Sequence, residues 1–251
     1  MAHSQVRTKT NRTQVLIVNT IAYLCAILPS LLLIYSPSLF HHFPLLCNFL
    51  SPLCQPSIET YSWIPLPIRL TFIGDLFGTL VIYLISFIVG NSSMYDAYWS
   101  VAPPFIFLAY SYFIPVGIDT GRKVLVGISI LLWSVRLTWN CFRRWEGLHE
   151  EDWRYSDYRP YGKIVYWVVS FLGFHLFPTL IVFNGCVSIY VALVVGTEPL
   201  NWIDYLALGL SIFATLLQLI SDSQMNEFNR MKIEGKTSEK VLKSGLWKYS
   251  R

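Results

Sequence analysis

Residues 68–89 read IRLTFIGDLFGTLVIYLISFIV, with Arg69 and Asp75 as the only charges. A hydrocarbon core of roughly 30 Å takes about 20 predominantly apolar residues as a helix, so this run predicts a membrane span. Gly74 and Gly78 form a G-x-x-x-G pair that permits close helix approach, with Asp75 between them. Working outward, similar runs recur at Val15–Tyr35 with Pro29 as a bend, at about Val101–Ile118 behind Pro103 and Pro104, and at Val124–Phe142 around Arg136. Two more follow, Ile164–Val195 and Trp202–Ile220, the last flowing into the polar stretch Ser221–Lys232. The chain is 54% hydrophobic and 14% charged, with a mean hydropathy of +0.47. Soluble domains carry about 25% charged residues. The sequence predicts an all-α, polytopic helical membrane protein with about six transmembrane helices and the lipid bilayer as its partner.

Composition also excludes some classes. The net charge is +4, and the basic residues flank apolar spans without forming a separate basic domain, so no nucleic-acid partner is expected. The five cysteines show no metal-ligand spacing, and no metal is expected. Cys25, Cys141 and Cys186 lie in or beside apolar segments, where Cys acts as a small buried hydrophobe. Cys47 and Cys54 sit in a loop and could pair if it faces an oxidising lumen. The first apolar run is too long for a typical signal-peptide core and lacks a clear cleavage site, so it reads as the first membrane helix. Residues 36–67 are rich in Pro and Ser and contain no Lys or Arg. The expected organisation is an N-terminal helix and lumenal loop over 1–68 and a membrane domain over 69–251.

As one helix, Ile164–Val195 would be roughly 48 Å long, awkward for one crossing and cramped for two. Pro178, Asn184 and Gly185 interrupt it. Cytoplasmic loops are enriched in Lys and Arg. A single crossing puts the basic N-terminus, the 143–163 loop and the Lys-rich tail on one side, leaving Arg122 and Lys123 opposite. This favours six crossings with both termini cytosolic, and it leaves the sequons at Asn11 and Asn91 on the cytosolic face.

Ionisable groups within spans are costly and often functional. Asp75 and Arg136 are the deepest; the structural reading is that they pair with each other or snorkel to the interface. His175, amid aromatics, reads as hydrogen-bonded packing. Met94-Tyr-Asp-Ala-Tyr-Trp99 places Asp96 beside the phenols of Tyr95 and Tyr98 at a membrane mouth. A phenol next to a carboxylic acid can protonate a centre during reduction. The alternative is an interfacial aromatic belt with a helix-capping Asp. The loop Arg143–Tyr155 is dense in charge; its arginines could hold phosphates, or its acids could neutralise them in a structural cap. Gln218, Ser221, Asp222, Met225 and Asn229 form a polar stripe leading into the basic tail, which suits a phosphate-bearing ligand or a helix leaving the membrane.

Ser93-Met-Tyr-Asp-Ala-Tyr-Trp, Arg143-Arg-Trp-Glu-Gly-Leu-His-Glu-Glu-Asp-Trp-Arg-Tyr, Ser221-Asp-Ser-Gln-Met and Gly245-Leu-Trp-Lys-Tyr-Ser-Arg251 occur in this order. Over roughly residues 70–251 the set resembles the DUF1295 family of steroid 5-alpha-reductase-like membrane proteins. The resemblance implies an NADPH-dependent reductase of a carbon–carbon double bond conjugated to a carbonyl, acting on a steroid or other hydrophobic lipid in the endoplasmic reticulum. The polar end of a late helix would supply Gln218, Asp222 and Arg230 to the cofactor. Lys248 and Arg251 lie in the start of the family's cofactor signature, and Arg154 in the charged loop. That signature normally continues past the Arg with His-Pro-Asn-Tyr-x-Gly-Glu, so the cofactor site is expected to be incomplete in this sequence. Asp96, Tyr95 and Tyr98 are catalytic candidates chosen by their chemistry. Two other readings stay open. One is an S-adenosylmethionine-dependent membrane methyltransferase of the isoprenylcysteine type, which has a similar late signature. The other is a non-catalytic membrane protein that has lost the cofactor site.

Overall fold

A computed structural model describes residues 11–35, 64–114, 120–145 and 147–250. Cys47, Cys54 and Arg251 lie outside the described residues. Within these residues the chain is helical and contains no strand. The helices are α1 (Arg12–Tyr35), α2 (Leu66–Val89), α3 (Tyr95–Tyr112), α4 (Thr120–Arg144), α5 (Lys163–Val195) and α6 (Trp202–Ile233). All but α3 are long and apolar enough to cross a bilayer, and the chain is an integral membrane protein. The expected third crossing corresponds to α3, which begins earlier, in the aromatic stretch at Tyr95, and carries Pro103 and Pro104 inside it. It is packed between α2, α4 and α5 and buries Ala97, Tyr98, Ala102, Ile106, Ala109 and Tyr110.

Two helix starts and one helix end follow from the sequence. Pro67 sits in the first turn of α2, where a missing N–H costs nothing. Gly90, at φ 75°, ends α2 in the left-handed conformation that Gly adopts without a steric cost. Asn201 and Asp204 form a reciprocal capping box on α6. The glycine pair of α2 is used for close packing: a Cβ on Gly74 would lie 3.1 Å from Ile34 Cδ1, and one on Gly78 would lie 2.2 Å from the Tyr98 hydroxyl.

Residues 163–195 form one continuous helix in which α-turns alternate with π-turns at Ser170–Leu176 and Val191–Val195. Pro178 falls in the first turn after the π segment and does not break the helix. This stretch therefore passes through the bundle once. As a result Gly90–Asp96, the 145–162 connection and the segment after α6 gather at one end. Arg122 Nε, at the opposite end, reaches Asp204 Oδ1 at 2.9 Å.

Arg136 does not pair with Asp75. Its Nη1 lies 2.6 Å from Asp222 Oδ2 on α6, because the Arg136 face of α4 is the one α6 covers. Asp75 faces a small cavity with Thr71 and Tyr98. His175 is fully buried; Nδ1 lies 2.8 Å from the Ser170 carbonyl and Nε2 lies 3.2 Å from Ser86 Oγ. A carbonyl only accepts, so Nδ1 carries the hydrogen and Nε2 accepts from Ser86.

Candidate functional site

The connection from Trp145 to Gly162 folds over the end of the bundle as a cap. The turn at Asn91–Ser93 holds it down. Asn91 Nδ2 donates to the carbonyls of Leu148 (2.8 Å) and Glu150 (2.7 Å), and the Asp152 N–H donates to Ser93 Oγ at 2.9 Å. Glu151 is the cap's central acceptor. It takes hydrogen bonds from Arg159 Nε (2.5 Å), Tyr166 Oη (2.6 Å) and the Ser92 N–H (2.9 Å). Burial pushes the Glu151 carboxyl up, but those hydrogen bonds outweigh it and hold the group below its usual range. Asp152 caps the turn Trp153–Ser156 and binds Arg154 through Nε (2.7 Å) and Nη2 (2.8 Å). These acids therefore neutralise Arg159 and Arg154.

Beneath the cap lies a cavity of ≈ 770 Å³ between α3, α4 and α5. Trp99, Leu137, Phe174, Phe177 and Ile181 contribute apolar walls. Its polar end presents Asp96, Asn140, Arg144, Asp152, Arg154 and Tyr155. Asp96 stands in the first turn of α3, ahead of its apolar run and outside the five candidate spans. It accepts a hydrogen bond from the Tyr155 hydroxyl. Burial pushes the Asp96 carboxyl up to about 6, against the pull of the Tyr155 bond and of Arg154. Burial, and then the Asp96 charge, raise the Tyr155 phenol above its ordinary value.

The other two catalytic candidates point elsewhere. Tyr95 lines the cavity, but its hydroxyl lies 2.6 Å from Thr179 Oγ1. Thr179 donates to the His175 carbonyl, so Tyr95 must donate to Thr179. Tyr98 faces Gly78 and the small cavity beside Asp75. Successive helix residues are about 100° apart, which turns Asp96 away from the face that Tyr95 and Tyr98 share, their rings 5.6 Å apart. The phenol beside Asp96 is thus Tyr155, which lay in the charged stretch without being singled out.

The proposed cofactor residues are also divided. Asp222 is held by Arg136, and Asn226, one turn on, donates to Asn140 Oδ1 at 3.2 Å. Asn140 lines the cavity, so it links the polar end of α6 to the site. Arg136 and Arg143 each bury an Nε without a hydrogen-bond partner. Residues 245–249 fold back on α6: the Leu246 N–H donates to Gln224 Oε1 at 2.9 Å and Trp247 Nε1 donates to the Ser221 carbonyl at 3.0 Å. Gln218, Arg230 and Lys248 are exposed, and Arg230 pairs with Glu227 at 2.7 Å. No group of three or more His, Cys, Asp or Glu side chains that could hold a metal occurs among the described residues.

The family model described as a protein of unknown function, DUF1295, matches residues 82–251. An uncharacterized protein of Schizosaccharomyces pombe, C594.04c, is 27% identical over 162 residues, 58% of this chain and 46% of that protein. The chain spans about half the length of that relative. No solved structure matches. The match takes in α3, the cap, α4 to α6 and the folded-back tail, and on it the chain belongs to the DUF1295 family.

Proposed function

We propose that this membrane protein is an oxidoreductase that reduces a conjugated carbon–carbon double bond of a steroid or other lipid with NADPH. The observation that carries the reading is the Asp96–Tyr155 pair at the polar end of an apolar-walled cavity beneath the cap. An enone has an apolar body and one carbonyl oxygen on which negative charge grows as the double bond is reduced. A phenol backed by a carboxylic acid is suited to meet that charge. When Asp96 is protonated, its O–H donates to the Tyr155 oxygen and the Tyr155 hydrogen turns to the substrate carbonyl. The proton then passes from Tyr155 to that oxygen, and the Asp96 proton passes to Tyr155. Asp96 is left ionised until solvent reprotonates it, and the enol tautomerises to the saturated ketone.

The side chains present fit a dinucleotide phosphate. Arg144 stands at the cavity and is suited to phosphate oxygens, while the unpartnered Nε atoms of Arg136 and Arg143 are buried donors outside its lining. Asp222, Asn140 and Asn226 would supply acceptors and amides to the bound cofactor. NADPH, when bound, supplies the hydride. The clustering of basic residues at the cap end supports a cytosolic cap and cytosolic termini. The family resemblance supports the endoplasmic reticulum.

The test is NADPH consumption by the purified protein in lipid nanodiscs with a lipid enone. Enone-dependent consumption is expected. Absence of consumption, together with methyl transfer from S-adenosylmethionine, would overturn the reading.

A further inference from the structure

Asp75 lies inside a membrane span, and the proposed reduction makes no use of it. It is 7% exposed. No hydrogen bond or ion pair joins it to another described residue. An ionisable group in a span is costly, and those that persist face a partner or mark a site.

Asp75 opens on the small cavity, of ≈ 30 Å³, between α1, α2 and α3. Three other polar side chains line it: Thr71, one turn before Asp75 on the same face of α2, Ser30 of α1 and Tyr98 of α3. Thr71 is 1% exposed, and its Oγ1 has no hydrogen-bond partner. The Ser30 hydroxyl commits its hydrogen to the Ala26 carbonyl at 2.6 Å, so it has only lone pairs left to offer. The two glycines of α2 let these oxygens come close. A Cβ on Gly74 would lie 3.3 Å from the Ser30 carbonyl oxygen, and one on Gly78 would lie 2.2 Å from the Tyr98 hydroxyl and 3.4 Å from Ser30 Oγ.

The polar atoms of the lining side chains are all oxygens, and no basic side chain is among them. Oxygen donors without nitrogen or sulfur suit a hard cation. One carboxylate balances one positive charge, which favours a monovalent ion over calcium or magnesium. A water needs about 10–15 Å³ by the same measure, so the cavity takes roughly two water-sized occupants, an ion and one water. That space favours a small ion. Asp75 stands roughly 13 Å along α2 from its first residue, Leu66, and Thr71 lies between the two, so the approach is from the end opposite the cap.

We propose that Asp75, Thr71, Ser30 and Tyr98 form a sodium site within the membrane. Asp75 supplies the charge, and the three hydroxyl oxygens complete the coordination with water.

The test uses the full chain in lipid nanodiscs at alkaline pH, where protons compete least for the carboxylate. The wild type is expected to bind radioactive sodium saturably, with displacement by unlabelled sodium and none by choline. Its melting midpoint should rise by about 3 °C or more in sodium chloride over choline chloride of equal strength, and potassium chloride should give less than half that rise. Asp75→Asn, which keeps the shape and removes the charge, should lose both the binding and the rise. Thr71→Val, which removes one oxygen, should weaken sodium binding about tenfold. Cooperative melting in choline chloride shows that each variant folds. A folded wild type that binds no sodium overturns the proposal and leaves water as the occupant. So does sodium binding that persists in Asp75→Asn, since the ion then sits elsewhere, or a rise that potassium equals. If Asp75→Asn does not fold, Thr71→Val decides, and unchanged sodium affinity in it overturns the proposal. Neither NADPH nor an enone is present, so the result is independent of the reductase reading.

Discussion

Tyr155, carried by the cap, donates its phenolic hydrogen to Asp96 in the first turn of α3. The two residues are 59 positions apart in sequence. The cap, bonded to the Asn91–Ser93 turn, brings them together.

The pair sets a pH dependence for the proposed reduction. Asp96 must be protonated to turn the Tyr155 hydrogen outward, and its carboxyl is pushed up to about 6. The reaction should therefore be fastest below that value, with kcat/KM falling about tenfold per pH unit above it. A pH–rate profile of the wild type checks this, and Asp96→Asn should flatten the profile as well as lower it.

Glu151 ties the cap to stability. Its folded pKa is lowered, so its contribution is present above the unfolded value of about 4.3 and is lost as pH falls through the folded value. Thermal melts should show the wild type losing stability below about pH 4 by this linkage. Glu151→Gln should cost about 2 kcal/mol at neutral pH, the scale of hydrogen bonds to a charged group, and weaken that acid dependence.

The Arg136–Asp222 pair should respond asymmetrically. Asp222→Ala leaves a largely buried guanidinium without its carboxylate and should destabilise by about 3 kcal/mol, while weakening NADPH binding more than tenfold, or about 1.4 kcal/mol. Adding Arg136→Met should recover much of the stability but none of the cofactor affinity. Melting curves and NADPH titrations of the single and double variants separate the two roles.

Gly78 is a packing position. A Cβ there would lie 2.2 Å from the Tyr98 hydroxyl and 3.3 Å from Cζ of the same ring. Gly78→Ala must displace Tyr98 and should cost about 2 kcal/mol as an overpacked core. Gly78→Ala with Tyr98→Phe, which removes the clashing hydroxyl, should recover part of that loss in the same melting assay.

The spans were legible because hydropathy alone specifies them, and Gly74 and Gly78 announced the close approach of α2 to its neighbours. The single passage of residues 163–195 was legible only through the basic residues around it. Its π-turns were not; the first, at Ser170–Leu176, holds His175 against Ser170 and Ser86, contacts that no local periodicity shows. Asp222 stood out in a polar stripe, but its partner Arg136 is 86 positions away, beyond any local periodicity. Asp96 was visible as an acid among phenols. Which phenol it uses depends on helical phase and cap closure, which turn Tyr95 toward Thr179, Tyr98 toward Gly78 and Tyr155 toward Asp96.

In the proposed reduction Tyr155, backed by Asp96, is the proton donor, and single-turnover reduction of a lipid enone by a set of phenol variants tests this most directly. Tyr155→Phe should slow the reaction about a hundredfold, the scale of lost general-acid catalysis, while Tyr95→Phe and Tyr98→Phe stay within a few-fold of wild type. A Tyr155→Phe protein that reduces the enone at the wild-type rate, with the loss falling on Tyr95→Phe or Tyr98→Phe instead, would contradict it.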